Sequence, residues 1–161
     1  MNDFTDLFYT LFSIVIFSFL LLQANSLILR NESAALEHEY EKTAITLAQS
    51  IIEEAKAKPF DSDMNAGNIP DDFTIVSGGN DRGQLATFDA YNGYTETVET
   101  PLGDFDIDVI VTFVTDESST PPFEFSGMPT ERKRITVQVT GPTHIEGTNV
   151  TLSYIKGYFQ E

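Results

Sequence analysis

The first 58 residues contain neither proline nor glycine, and all seven prolines and all ten glycines lie at or beyond Pro59. These two residues interrupt helices most strongly, proline by losing an N–H and clashing with the preceding turn, glycine by its backbone freedom. Their absence followed by their crowding predicts one long helix and then a domain of loops and strands. At about 1.5 Å per residue the helix is roughly 85 Å long. A domain of the remaining size is only about 30–40 Å across. Roughly half of the helix is therefore expected to extend beyond its own domain.

Charge marks which half that is. Residues 1–29 carry two charged side chains, Asp3 and Asp6, and the 23 residues from Leu7 to Leu29 carry none. As a helix that stretch spans about 34 Å, enough for a hydrocarbon core of ~30 Å. Thr10, Ser13 and Ser18 are tolerated in lipid by bonding back to the helix backbone, whereas Gln23 and Asn25 favour a helix partner or the interface. A cleaved secretory signal is the competing reading. Against it, the segment before the apolar run has two Asp and no Lys or Arg, and helix-forming sequence continues past any cleavage point.

Residues 30–58 hold six acids and four bases. Leu36, Tyr40, Ala44, Leu47, Ala48, Ile51 and Ala55 recur at helical spacing, which predicts an amphipathic half-helix whose stripe packs on its own domain. Ile45 and Ile52 form a second ridge, expected to reach a neighbouring helix. Beyond Pro59 the period becomes two. Phe105, Ile107, Val109, Val111 and Phe113 alternate with Asp106, Asp108 and Thr112; Ile135, Val137 and Val139 alternate with Thr136, Gln138 and Thr140; Val150, Leu152 and Tyr154 alternate with Thr151 and Ser153. These are strands buried on one side, hence an antiparallel sheet, with weaker strands expected near 73–77 and 95–100. The amphipathic half-helix is the cover available to its apolar face. The chain thus divides into a transmembrane or filament-core half-helix (1–29), an amphipathic half-helix (30–58) and a β head (59–161).

At this point the layout resembles a type IV pilin. Thr43-Ala-Ile-Thr-Leu-Ala-Gln-Ser-Ile-Ile-Glu-Glu-Ala-Lys-Ala-Lys-Pro-Phe-Asp61 is similar to the A-x-x-L-A-Q-x-x-I-E-x-x-K-x-x-P-F-D stretch of minor pilins of the pilus modification class and of related secretion pseudopilins. Asp89-Ala-Tyr-Asn-Gly-Tyr94 resembles the D-D-Y-N-G-Y element that follows that helix, and 133–140 and 150–155 resemble the late strands. The resemblance runs through the whole chain in order. It implies an α+β, type IV pilin-like fold: a long N-terminal helix with its C-terminal half packed on an antiparallel β-sheet. Such proteins carry a Gly-Phe junction and a Glu five residues into the mature helix. Here position 5 is Thr5 and no Gly precedes Phe4. Asp3 or Asp6 is then the candidate for the charge pairing with a neighbour's terminal amine that the resemblance implies; the plainer reading puts both in the headgroup region.

Other candidates are read from the residues. Asp61, Asp63, Asn65 and Asp72 stand at positions 1, 3, 5 and 12 of a calcium-type loop, with Ala66 where the pattern wants Gly and Asp where it wants Glu. Calcium is the one cofactor considered, against an acidic, solvated loop as the default. Asp104, Asp106 and Asp108 share one strand face, again with solvation as the default. Asn31-Glu-Ser33 and Asn149-Val-Thr151 match a glycosylation triplet that chains of this length also carry by chance. Arg132-Lys-Arg134 is a basic cluster for an acidic neighbour across a subunit interface or for keeping a strand edge soluble. Phe4, Phe8 and Phe12, at steps of four, suit a helix seam with Ile16 and Phe19, and complete the assembly set with Ile45 and Ile52.

Nine Lys and Arg against 25 Asp and Glu give a net charge of −16, which argues against a nucleic-acid partner. The chain has no cysteine and two histidines, His38 and His144. No nucleophile–base set, phosphate loop or catalytic carboxylate pair stands out, so no enzyme is expected. The expectation is a subunit of a helical filament, held in the cytoplasmic membrane before an assembly machinery moves it to the cell surface. The alternative is a monomeric, single-pass, membrane-anchored binding or adhesin module.

Overall fold

The computed structural model describes residues 3–61, 73–115, 125–142 and 149–158, the side chain of Asp3 excepted. Helix α1 runs unbroken from Asp3 to Ala57, 55 residues, and stops two residues before Pro59. The expected helix and its end are both found, to within one residue. By contacts the chain forms two units, Met1–Glu39 and Tyr40–Glu161.

In the first unit the described residues are all helical and, apart from half-buried Ser26, all exposed. Apolar side chains stand on every side of the helix between Phe4 and Leu29. A soluble surface helix confines such residues to one stripe. Between Phe4 and Leu29 the helix therefore has no separate polar face to turn to water.

The second unit is α+β. Strands β1 (Thr95–Thr100), β2 (Gly103–Val114), β3 (Phe125–Ser126), β4 (Arg132–Thr140) and β5 (Asn149–Gly157) form one antiparallel sheet in the order β1-β2-β4-β5, with β3 pairing the end of β2. On β4, and on β2 as far as Val111, buried residues alternate with partly or fully exposed ones, as the sequence period requires; at the end of β2 Phe113 is half-buried and Val114 is buried. Phe105, Ile107, Val109, Val111, Ile135, Val137 and Val139 meet Tyr40, Ala44, Ala48, Ile51, Ile52 and Ala55 of α1 in one core. Ala44, Ala48 and Ala55 have no exposed surface; their small side chains let the helix lie close to the sheet, and Ile51 fills the space between them.

Two expectations are corrected. Ile52 is 8% exposed and belongs to this core, so it is not free for a neighbouring helix; the buried arc is wider than the main stripe. Ile45, half-buried, lies at its edge. Residues 73–77 form no strand, only a single bridge from Ser77 to Tyr91. The backbone N–H groups there are taken by carboxylates: Thr74 donates to Asp61 Oδ2 at 3.0 Å and Val76 to Asp89 Oδ2 at 3.2 Å. A chain whose donors are satisfied by side chains has no need of a ladder.

The close approach at the alanines is testable. Ala48→Leu should destabilise the head by about 1–3 kcal/mol through overpacking. Gln49→Leu, at an exposed neighbour, should stay within about 0.5 kcal/mol of wild type. Urea unfolding of the full chain in detergent, followed by near-ultraviolet circular dichroism, measures both.

Candidate functional site

The five assembly residues read from the first half of the helix lie where a partner can reach them, unlike Ile52. Phe4, Phe8, Phe12, Ile16 and Phe19 are 81%, 62%, 57%, 44% and 62% exposed. The polar side chains among them are self-satisfied. Thr10 Oγ1 donates to the Asp6 and Leu7 carbonyls at 2.9 Å, Ser13 Oγ to Tyr9 at 2.8 Å and Ser18 Oγ to Ile14 at 2.8 Å. These three hydroxyls carry no unmet donor into an apolar environment, which favours residence in lipid. This helix is long and apolar enough to cross a membrane. Asp6 is exposed at its start.

The head is fastened to α1 by two polar clusters. The first gathers at the helix end. Lys133 and Lys156 are cross-strand neighbours on β4 and β5. Both point to the inner face of the sheet. Lys133 Nζ donates to Asp61 Oδ2 at 2.8 Å and to the Phe60 carbonyl at 3.1 Å, 4.6 Å from the Phe60 ring centre. The ion pair is completely buried. Lys156 Nζ donates to the Lys56 carbonyl at 2.9 Å and to the Lys58 carbonyl. A helix ends with carbonyls that have no partner within it, at the negative end of its dipole. Lys156 supplies a donor and a positive charge at the Lys56 carbonyl, while Lys133 secures Phe60 and Asp61 just beyond the helix. Burial holds the Lys156 ammonium below the usual lysine range.

The second cluster ties the side of α1 to the Asp89–Tyr94 element. Burial would raise the Glu54 carboxyl, but hydrogen bonds from Tyr91 Oη at 2.8 Å and Arg82 Nε at 2.7 Å outweigh it and leave it below the usual value. Tyr94 Oη donates to Glu96 Oε2 at 2.8 Å, and Arg82 reaches the same oxygen at 3.5 Å. Burial, then the bond to Glu96, push the Tyr94 phenol up to about 12; burial and Glu54 push Tyr91 up further. Asn92 Oδ1 accepts from Val111 N at 3.1 Å, and Gly93 N donates to Val109 O at 2.9 Å. Gly93 has φ +76°, and a Cβ there would meet Ser77 Oγ at 3.3 Å, so the turn wants glycine. Every side chain of the Asp-Ala-Tyr-Asn-Gly-Tyr element apart from Ala90 thus forms a hydrogen bond or makes the turn possible. Within it, the buried Asp89 Oδ1 is left without a hydrogen-bond partner.

These roles revise several readings. Lys133, in the basic cluster, is spent inside its own molecule and is not available to a neighbour. Asp61, first of the calcium-type set, is engaged by Lys133 and Thr74; Asp63, Asn65 and Asp72 lie outside the described residues. No group of three or more His, Cys, Asp or Glu able to hold a metal occurs among the described residues. Asp3 has its side chain outside them. Asn31 lies exposed on α1 and Asn149 exposed at the start of β5. Comparison with protein-family models, curated proteins and solved structures gives no match.

Two measurements probe the fastenings. Lys133→Met should cost about 3–5 kcal/mol by stranding a buried carboxylate, and adding Asp61→Leu should recover most of it; denaturant unfolding of the three proteins checks this. The raised phenols favour the neutral form in the folded state. Their contribution to stability is therefore full below the unfolded pKa of about 10 and is lost as pH rises through the folded values. Stability should fall between about pH 10 and 12. Phenolate absorbance should show a late phase that Tyr91→Phe/Tyr94→Phe removes.

Proposed function

We propose that this chain is a structural subunit of an extracellular, type IV pilus-like filament. The observation that carries the reading is one unbroken helix whose first part is exposed and apolar on every side, while its last part is the core of an antiparallel sheet. The order of the Thr43–Asp61 stretch, the Asp89–Tyr94 element and the late strands supports it.

In this reading the apolar half waits in the cytoplasmic membrane. An assembly machinery of the pilus or secretion type then withdraws it and packs it among other copies, with heads displayed outside. Covering ~1,000 Å² of apolar surface per subunit is worth about 25 kcal/mol against water, but far less against lipid, which is itself apolar. Packing alone therefore does not pull the helix from the bilayer, so assembly needs a motor. Once outside, the finished fibre faces water, and loss of a subunit would cost the larger figure. Acidic heads keep neighbouring fibres apart. The chain acts by packing rather than by catalysis and uses no cofactor.

Shearing cells and sedimenting the supernatant tests this. The chain should recover as long fibres by electron microscopy. Recovery only in the membrane fraction as monomer would replace the filament by the single-pass anchored module. Phe12→Asp/Ile16→Asp should abolish the fibres while the near-ultraviolet signal of the head is kept; normal fibres from this variant would overturn the reading.

A further inference from the structure

The polar side chains of the uncharged run fall into two groups. Thr10, Ser13 and Ser18 bond their hydroxyls to the backbone of their own helix. Among the described residues, none forms a hydrogen bond with the side chain of Gln23, Asn25 or Ser26. In water an exposed amide is solvated. In hydrocarbon its donors need a partner from another helix. Gln23 precedes Arg30 by seven residues, about 10 Å along the helix, so it lies well inside the apolar run. Position on the helix separates the two amides. Tyr9, Phe12, Ile16, Phe19, Gln23 and Ser26 follow one another at steps of 3, 4, 3, 4 and 3, the heptad spacing of a helix–helix seam. Three of the assembly residues lie on it, and Gln23 continues it. Asn25 is rotated from Gln23 by about 200°, to the back of the seam, and Thr10, Ser13 and Ser18 are off it as well. The next seam position is Arg30, whose charge ends the apolar stretch.

We propose that two copies of this chain pair in the membrane through parallel helices along this seam, with Gln23 of one copy hydrogen-bonded to Gln23 of the other. The geometry selects a second copy as the partner. Copies inserted by one route cross the bilayer in the same direction. A two-fold axis along the membrane normal then sets each seam residue opposite itself, and the two Gln23 side chains meet at one depth. A carboxamide holds both donors and an acceptor. Each Gln23 N–H therefore donates to the other's carbonyl oxygen, and the two bonds close reciprocally. A shift by one heptad sets Gln23 against Ile16 and leaves both amides unmet. The pair thus fixes register, as a lone polar residue does at a coiled-coil seam. Ser26, one step further on, is small and lets the backbones approach.

Magnitudes give the amide the deciding part. Phe12, Ile16 and Phe19 gain little by leaving lipid for a like helix, because lipid is already apolar. The amide gains a partner that lipid does not offer. The contact itself holds no charge, so the acidic heads oppose it only through a repulsion that salt screens. The inference rests on the membrane residence that the filament and the anchored module share, and not on filament formation.

The chain has no cysteine, so one introduced thiol reports the contact. In the full chain, reconstituted in phosphatidylcholine vesicles and mildly oxidised, Ser26→Cys should give a disulfide-linked dimer on a non-reducing gel. Helix axes about 8–10 Å apart, with Cα atoms ~2.3 Å from each axis, bring facing seam Cα atoms to roughly 4–7 Å. A disulfide spans up to ~7 Å between Cα atoms. Asn25→Cys is the control. Its Cα atoms stand on the far sides, more than about 11 Å apart, and its yield should be at least about five-fold lower. The initial rate of linking at low protein-to-lipid ratio reads the paired fraction. Adding Gln23→Leu to Ser26→Cys should cut that rate about ten-fold, whereas adding Asn25→Leu should change it less than about two-fold. Leucine forms helix as readily as glutamine, so the helix itself is kept. Gln23→Asn, which retains an amide, should keep more of the rate than Gln23→Leu. The proposal is overturned if Ser26→Cys links no better than Asn25→Cys, or if Gln23→Leu lowers the rate no more than Asn25→Leu. Neither result touches the shearing test of the filament, because the vesicles hold no assembly machinery.

Discussion

The head depends on how the helix end is received inside the protein. An α-helix that stops against a core leaves carbonyls without donors, and burying them unpaired costs more than the packing around them returns. Lys156 meets this need at the Lys56 carbonyl, and Lys133, on the adjacent strand, holds the residues just beyond the helix. One pairs with Asp61 and the Phe60 carbonyl, the other with the carbonyls of Lys56 and Lys58. Their stems continue the apolar face of the sheet and their ammonium groups end at the helix terminus, an arrangement open to long amphipathic side chains. The lysines thereby fix where the helix stops over the sheet. The loop after Asp61 leaves from that point.

Seen this way, the Asp89–Tyr94 element is a second brace on the same helix. Tyr91 and Arg82 hold Glu54, one turn before the lysine-bound end, and Tyr94 and Arg82 hold Glu96 on β1. Glu54 falls at the edge of the apolar arc, where a carboxylate looks like a flaw in the pattern. Its partners explain it. A charge at the border of a core is stable when hydrogen bonds replace its water, and it specifies the rotation of the helix in a way that alanines and isoleucines do not.

The elements were readable from local periodicity, because helix and strand periods and the distribution of proline and glycine are properties of neighbouring residues. The three long strands, Thr95–Thr100 and the helix end all followed from them. The two fastenings were not, since Lys133 and Asp61 are separated by 72 residues, and no short window relates them. A signal was nevertheless present. Extending the inward series Val139, Val137, Ile135 by one step reaches Lys133, and extending Val150, Leu152, Tyr154 reaches Lys156. A lysine at the inward phase of a strand demands a buried acceptor. The false strand at 73–77 has the same origin: Val76 and its neighbours fit a strand pattern, but Asp61 and Asp89, distant in sequence, took the donors.

The division of labour along α1 bears on what the chain can do. The core of the head draws on α1 from Tyr40 onward, and both fastenings lie between Glu54 and Asp61. Among the described residues, the core and fastening side chains named above all lie outside the stretch from Leu7 to Leu29. Its backbone is helical throughout, and Thr10, Ser13 and Ser18 bond their hydroxyls to that backbone. Those groups can exchange one apolar environment for another without breaking a polar contact, which is the costly part of moving a segment out of lipid. The head needs no refolding for such a transfer. The proposed reading, a membrane first and an assembly of like helices afterwards, needs a folded part specified by residues other than those of the apolar run, and the core and fastenings of the head meet that need.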